Sequence, residues 1–344
     1  MRINKLIFIF AITAITVSCS KLVLNKEKES NAKNVFEHLW YEIKIKYSFL
    51  DYKQLNWDEI KLKYEKKIED EMEQEALFEV CADMMNELRD GHANLIAPFD
   101  VSYYYPVFLN SPQNYDSRLV LTNYLMRKGA NMQSTGALDN CIFDTLGLKI
   151  GFIRYTSFSE RLYTEDLDYV LNKMQHCDGL ILDVRSNGGG SSSNIFSLAG
   201  RFADSKRLAF VSYAKNGAAP NSFDKGTSLF IEPKGNIQFT KRIALLTNRG
   251  CYSATSFFTL AMKTFPYVKV IGDTTGGGLG VPNGGQLPNG WTYRFSVTQT
   301  ITPDGKNFEN GVPPDITVWM KDSATYNGFD DIIERGIKYI KDGN

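Results

Sequence analysis

From residue 148 onward, this 344-residue chain alternates apolar runs of strand length with stretches of helical period, and no other feature restricts its fold as much. Strands are expected at 148–158, 179–185, 242–247 and 268–272, with one or two more across 291–302. Helices are expected at 164–174, 194–202, 254–263 and about 329–340. The runs at 179–185 and 242–247 are apolar throughout rather than every second residue, as in strands covered on both faces. Strands alternating with helices imply an α/β sheet with helices packed against it. No internal repeat interrupts the pattern.

Residues 34–97 read differently. Phe36, Leu39, Trp40 and Ile43 share one helical face, as do Ile60, Tyr64 and Ile68, and then Leu77, Val80, Cys81, Met84 and Leu88. Asn56 followed by Glu59 has the spacing of a capping box. The last of these helices should end at Arg89-Asp90-Gly91, with Gly91 as the capping residue and His92 next. The expected organisation is a small N-terminal helical domain at 34–97, a tyrosine-rich connecting segment at 98–145 with short strands near 103–109 and 119–125, and an α/β core at 146–344.

Ahead of the helices, Arg2 and Lys5 precede a short apolar run at 6–17. A helix needs about 20 apolar residues to span a bilayer, so this run reads as the core of a signal peptide. Thr-Val-Ser-Cys, ending at Cys19, resembles the lipobox of bacterial lipoproteins; an ordinary secretory signal is the alternative. The expectation is a signal peptide at 1–18, a lipidated Cys19, a tether at 19–33, and an exported protein anchored to a membrane. Ser20 in place of an aspartate slightly favours the outer membrane, with the chain facing the periplasm or the cell surface. Cys81, Cys141, Cys177 and Cys251 are irregularly spaced and read as buried free thiols.

Lys and Arg balance Asp and Glu at 39 each, and losing Arg2 and Lys5 leaves the mature chain slightly acidic. That excludes nucleic acid as the main partner. With His38, His92 and His176 as the only histidines and no Cys-x-x-Cys, no metal site is expected.

Two strand-loop-helix junctions could carry chemistry. Leu180 to Gly190 runs from an apolar strand into Ser-Asn-Gly-Gly-Gly, a loop whose N–H groups can face an anion or oxyanion. It lacks both glycine signatures of nucleotide sites, so no nucleotide is expected. Ile243 to Ser256 ends a strand at Asn248, turns at Gly250 and begins a helix at Ser253. Ser253 is either a helix cap or a nucleophile whose oxyanion the Ala254 N–H would hold. Cys251 is the competing nucleophile. His38 lies on an apolar helix face and His176 at a helix end, which leaves His92 as base or as cap.

These residues carry a family resemblance. Gly-Phe-Ile-Arg-Tyr-Thr-Ser-Phe from Gly151, Leu-Asp-Val-Arg-Ser-Asn-Gly-Gly-Gly from Leu182, the turn at Ser253 and Gly-Asp-Thr-Thr-Gly-Gly-Gly from Gly272 resemble the core of the tail-specific (C-terminal processing) serine proteases across 147–318. Asp-Gly-His at 90–92 is similar to the histidine motif of the tricorn-like branch. The resemblance implies a mixed β-sheet flanked by helices (ClpP/crotonase-like) and a serine-type endopeptidase with no cofactor, acting on peptides or unfolded exported proteins. It implies Ser253 as nucleophile, His92 as base, and the N–H groups of Ala254 and of Gly188 or Gly189 as the oxyanion hole. Glu309 falls near the acidic residue that orients the base.

Gly278 stands where the Ser-Lys members carry their lysine. The family turn Gly-Ser-Ala-Ser-Ala-Ser-Glu becomes Gly-Cys-Tyr-Ser-Ala-Thr-Ser, with Ser256 replacing the glutamate. Both departures point to the Ser-His branch. Residues 98–145 are too short for the PDZ module that many members insert. The rival readings are a non-catalytic peptide- or lipid-binding lipoprotein and a serine esterase or amidase.

Overall fold

The structure, a computed structural model, describes residues 30–344. The expected signal peptide, Cys19 and most of the tether lie outside the described residues. Asn31 caps α1 (Ala32–Lys46), its side chain accepting from the Asn34 N–H at 2.9 Å. Asn56 caps α2 (Trp57–Glu65) by accepting from the Glu59 N–H at 3.3 Å, the bond its spacing predicts. α3 (Gln74–Asn86) buries Leu77, Phe78, Cys81, Met84 and Met85. Beyond it the left-handed residue is Arg89, at φ +50°, and not Gly91. The missing side chain of Gly91 serves another purpose, described below. β1 (Asn94–Ile96) follows His92 directly.

The connecting segment departs from expectation. Pro106–Leu109 and Ser117–Leu119 are short helices and Val120–Leu125 is π-helical, where strands were expected. Asp116 accepts from the N–H groups of Arg118 and Leu119, and this cap outweighs the β preference of the valine and tyrosine that follow. The core also begins earlier than residue 146, because β2 (Gln133–Thr135) and β3 (Leu138–Thr145) already belong to the central sheet.

The chain then lays down β4 (Leu148–Tyr155), α4 (Thr164–Met174), β5 (Gly179–Asp183) and α5 (Ser192–Ala199). After β6 (Arg207–Ala214) and β7 (Thr227–Ile231) it returns through β8 (Arg242–Thr247), α6 (Ala254–Met262) and β9 (Val268–Gly272). It closes with β10 (Pro282–Gln286), β11 (Thr292–Ser296), β12 (Thr298–Ile301), β13 (Ile316–Thr317) and α7 (Asp331–Asp342).

The central sheet has seven strands in the order β13-β9-β8-β5-β4-β3-β2. It is parallel from β13 to β4 and antiparallel at β3 and β2. Its period of two sorts each strand between two layers: Leu180 and Leu182 of β5 pack with residues of α4, α5 and α6, while Ile181 packs with Ile332, Ile333 and Ile337 of α7. Fully burying such side chains contributes about 1.5–3 kcal/mol each, so both layers hold the strand ends in place. This is the expected mixed sheet flanked by helices.

Two smaller antiparallel sheets, β12-β6-β7 and β1-β11-β10, lie outside it. The second determines how the helical unit is built. Tyr293 and Phe295 of β11, with Trp291 just before it, are buried in one cluster with Phe36, Leu39, Phe78 and Met84, and Trp291 meets Phe78 edge-on at 5.6 Å. The α/β part of the chain therefore supplies a wall of the helical core.

Candidate active site

β5 and β8 are parallel neighbours, so the loops that follow them emerge side by side at their C-terminal ends. The loop after β5 is knitted by Asn187, whose buried Oδ1 accepts from the Gly189 N–H at 3.0 Å, the Thr255 Oγ1 at 2.9 Å and the Phe158 N–H at 3.3 Å. Gly189, at φ +99°, would bring a Cβ within 2.9 Å of both the Ser253 Cβ and the Ala254 N. Any side chain there would break the contact between loop and helix. Gly188 lines the cleft, with no atom within 4 Å of where a Cβ would stand.

Ser253 opens α6 at φ +54° and ψ −120°. A capping serine has extended backbone and accepts from the first turn. Ser253 has neither feature, since its side chain makes no cap hydrogen bond. It sits instead on a strained strand-to-helix turn of the kind that presents nucleophiles. As the first helical residue, Ala254 has an N–H without an intrahelical acceptor, beside the positive end of the helix. Cys251 is ruled out as the nucleophile: it is fully buried, its Sγ lies 3.0 Å from the Val184 carbonyl, and burial pushes the thiol up to about 12. Ser256 bonds Thr275 at 2.9 Å inside the core.

Alongside these loops runs a cleft of about 800 Å³ lined by residues of both halves of the molecule, including Lys53, Asp90, Gly188, Tyr252 and Glu309. His92 is buried beside Tyr252, with the two rings 4.9 Å apart, and neither His92 nor Ser253 is among the residues that line the cleft, though their chain neighbours Gly91 and Tyr252 are. Burial lowers its affinity for a proton, Arg294 and Lys53 lower it further, and Asp90 and the Gly280 backbone only partly offset them. The imidazole is therefore held below its ordinary range, and its Nδ1 is buried with no hydrogen-bond partner.

Glu309 does not hold the imidazole directly. Its Oε2 accepts from the Leu279 N–H at 2.7 Å and its Oε1 lies 3.9 Å from Lys53 Nζ, so other groups occupy the carboxyl. The Gly280 N–H also donates to it, and the backbone of that same Gly280 reaches the His92 ring. Gly189 likewise departs from its expected use, because its N–H is turned to Asn187.

The sequence alone assigned no role to four residues gathered here: Asp90, Lys53, Tyr252 and Arg294. Asp90 is buried; its Oδ1 accepts from the His92 N–H at 2.8 Å and the Tyr252 hydroxyl at 3.2 Å, and its Oδ2 from Ser296 at 2.8 Å and Tyr47 at 3.1 Å. Burial alone would raise its proton affinity, but Lys53, His92 and these donors hold it below the usual carboxylate range. Glu309 goes the other way, pushed well above that range by burial and by Asp90. Lys53 donates to the Leu88 and Arg89 carbonyls at 3.0 Å each. Arg294, from β11, donates to Asn94 at 2.7 Å. Asp90 and Glu309 thus share one cation, which suits one charged and one protonated carboxyl.

Residues 149–318 match the model of peptidase family S41, and residues 29–86 match that of the tricorn protease C1 domain. The carboxy-terminal processing protease CtpA of Bacillus subtilis (strain 168) is 29% identical over 178 residues, covering 51% of this chain and 36% of that protein. The chain thus spans little more than a third of that curated relative's length. A crystal structure of a candidate peptidase from Parabacteroides merdae ATCC 43184 is 34% identical, with a TM-score of 0.84 over 91% of this chain and 97% of that one. Mature CPAF, complexed with lactacystin, has a TM-score of 0.72 at 12% identity over 91% of this chain and 99% of that one, a likeness of fold alone.

Proposed function

The chain belongs to peptidase family S41, the tail-specific proteases, and on that footing we propose that it is a serine-type peptidase working through Ser253 with His92 as its base. The observation that carries this reading is the backbone of Ser253, strained at φ +54° with a side chain that caps nothing, at the positive end of α6. A depressed imidazole supports it, because a base must be neutral to accept a proton.

His92 takes the proton from Ser253 Oγ as the oxygen adds to the carbonyl carbon of a peptide bond. The Ala254 and Gly188 N–H groups hold the resulting oxyanion, while Gly189 shapes the loop. His92 then gives the proton to the departing amine, and water releases the acyl group by the same steps in reverse. Glu309 acts at one remove: it secures Leu279 and Gly280, and Gly280 holds the ring. Substrates are peptides or unfolded chains outside the cytoplasm, reached by a protein anchored through Cys19. Extended backbone docking is the mode of peptide binding proposed for this cleft.

Ser253→Ala and His92→Ala are each expected to lower kcat/KM on an unstructured polypeptide by about 10⁴-fold, because members of such a set act as a unit. A fluorophosphonate should label wild type and not Ser253→Ala. Labelling that survives Ser253→Ala, or undiminished hydrolysis by it, would overturn the assignment. Since His92 stays neutral below its ordinary range, the acid limb of kcat/KM is expected below about pH 6.5.

A further inference from the structure

Tyr252 stands immediately before the nucleophile, where the family turn carries alanine, and three glycines make room for it. A Cβ at Gly91 would lie 3.1 Å from its hydroxyl oxygen, one at Gly276 would lie 3.3 Å from its Cδ2, and one at Gly278 would collide with the ring. Gly278 is also the position at which Ser-Lys members carry their base. The phenol ring thus fills the space that a side chain there would enter. Its ring centroid lies 4.9 Å from that of His92, the two planes tilted by 57°, and its hydroxyl donates to Asp90, which in turn binds the His92 backbone N–H. One side chain from the nucleophile's turn therefore touches all of Asp90-Gly91-His92 on the other half of the molecule.

We propose that Tyr252 is the positioning residue for the base, a clamp that fixes His92 relative to Ser253 and commits the site to histidine rather than lysine. The proposal rests on the Ser253–His92 reading above. The clamp has a geometric and an electrostatic part. The ring limits how the imidazole can tilt. The hydroxyl occupies part of the Asp90 carboxylate, which otherwise acts more strongly on the imidazolium. The charged and titratable groups around His92 are Asp90 on its own loop, Lys53 beyond α1, Arg294 on β11, Tyr252, and Glu309 behind Asp90. Removing only the hydroxyl leaves Asp90 with one donor fewer, so the imidazolium becomes easier to form and the base is lost at higher pH.

The test is the rate at which a fluorophosphonate labels Ser253, measured across pH in the full chain, for wild type, Tyr252→Phe, Tyr252→Ala and His92→Ala. Tyr252→Phe is expected to slow labelling about tenfold and to move its acid limb up by about half a pH unit. Tyr252→Ala should be slower still. If Tyr252→Ala fails to fold, the isosteric Tyr252→Phe decides alone. An unshifted acid limb with wild-type labelling in a folded Tyr252→Phe overturns the clamp while leaving the base intact. Labelling of His92→Ala at the wild-type rate overturns both, and so identifies the base assignment as the part that failed.

Discussion

At the scale of single residues, the site turns on two carboxyls whose proton affinities are pushed in opposite directions around Lys53. The raised Glu309 carboxyl has a measurable consequence. Above the ordinary carboxylate range the unfolded chain loses this proton and the folded chain keeps it, so the folded state binds more protons and stability falls as pH rises. The stabilising contribution is complete below about pH 4.3 and is lost as pH climbs through the raised value. Glu309→Gln keeps an acceptor for Leu279 and cannot ionise. Its Tm relative to wild type should therefore improve steadily from about pH 5 to about pH 8. Melting curves at several pH values check this, and a pH-independent difference would refute it. Ser253, His92, Gly188, Ala254 and Glu309 could be named as candidates because motif, helix boundary and histidine census narrowed the choice, although Glu309 binds the Leu279 N–H rather than the imidazole. Lys53 and Tyr252 were not, because a lone lysine between aromatic residues and a tyrosine inside a turn have no distinctive spacing. The tyrosine for alanine in the serine turn was the one available signal.

At the scale of elements, the sheet was readable because its strands obey a period of two and its helices a period of 3.6, and β8 and β9 fall where those periods place them. The π-helical stretch at Val120–Leu125 was not readable, since apolar spacing alone does not distinguish it from a strand. α7 shows how an element end is tied to the sheet. Asp330 caps it by accepting from the Ile332 and Ile333 N–H groups at 3.0 and 3.1 Å, and its other oxygen meets the fully buried Arg185 at 2.8 Å. Arg185 is also paired with Asp183 at the end of β5, just before the glycine loop. Asp330→Ala loses the cap and leaves buried positive charge short of a partner, an expected cost of about 3–5 kcal/mol in denaturant unfolding. Asp330→Asn retains a capping oxygen, so its smaller loss isolates the ion pair.

At the scale of the whole molecule, the helical unit is expected to unfold together with the rest of the chain, because its core is completed by β11, a strand supplied from far along the α/β part. The sequence hid this: β11 reads as an ordinary strand, and its apolar partners lie some two hundred positions earlier. Trp291→Ala should cost about 3–5 kcal/mol, and unfolding followed by tryptophan fluorescence, which reports Trp40, Trp57 and Trp291 of this cluster together with the exposed Trp319, should coincide with loss of far-ultraviolet signal. An earlier, separate fluorescence transition would show that the helices melt alone. The surroundings of His92 are gathered from Lys53, Tyr252, Gly280, Arg294 and Glu309. A chain growing from the ribosome therefore carries its histidine early and its nucleophile much later. It cannot assemble the surroundings of either until the segment through Glu309 has emerged. Peptide-cleaving capacity would thus arise only after that segment has emerged, and shorter translation products of this hydrolase would be inert towards the nascent proteins around them.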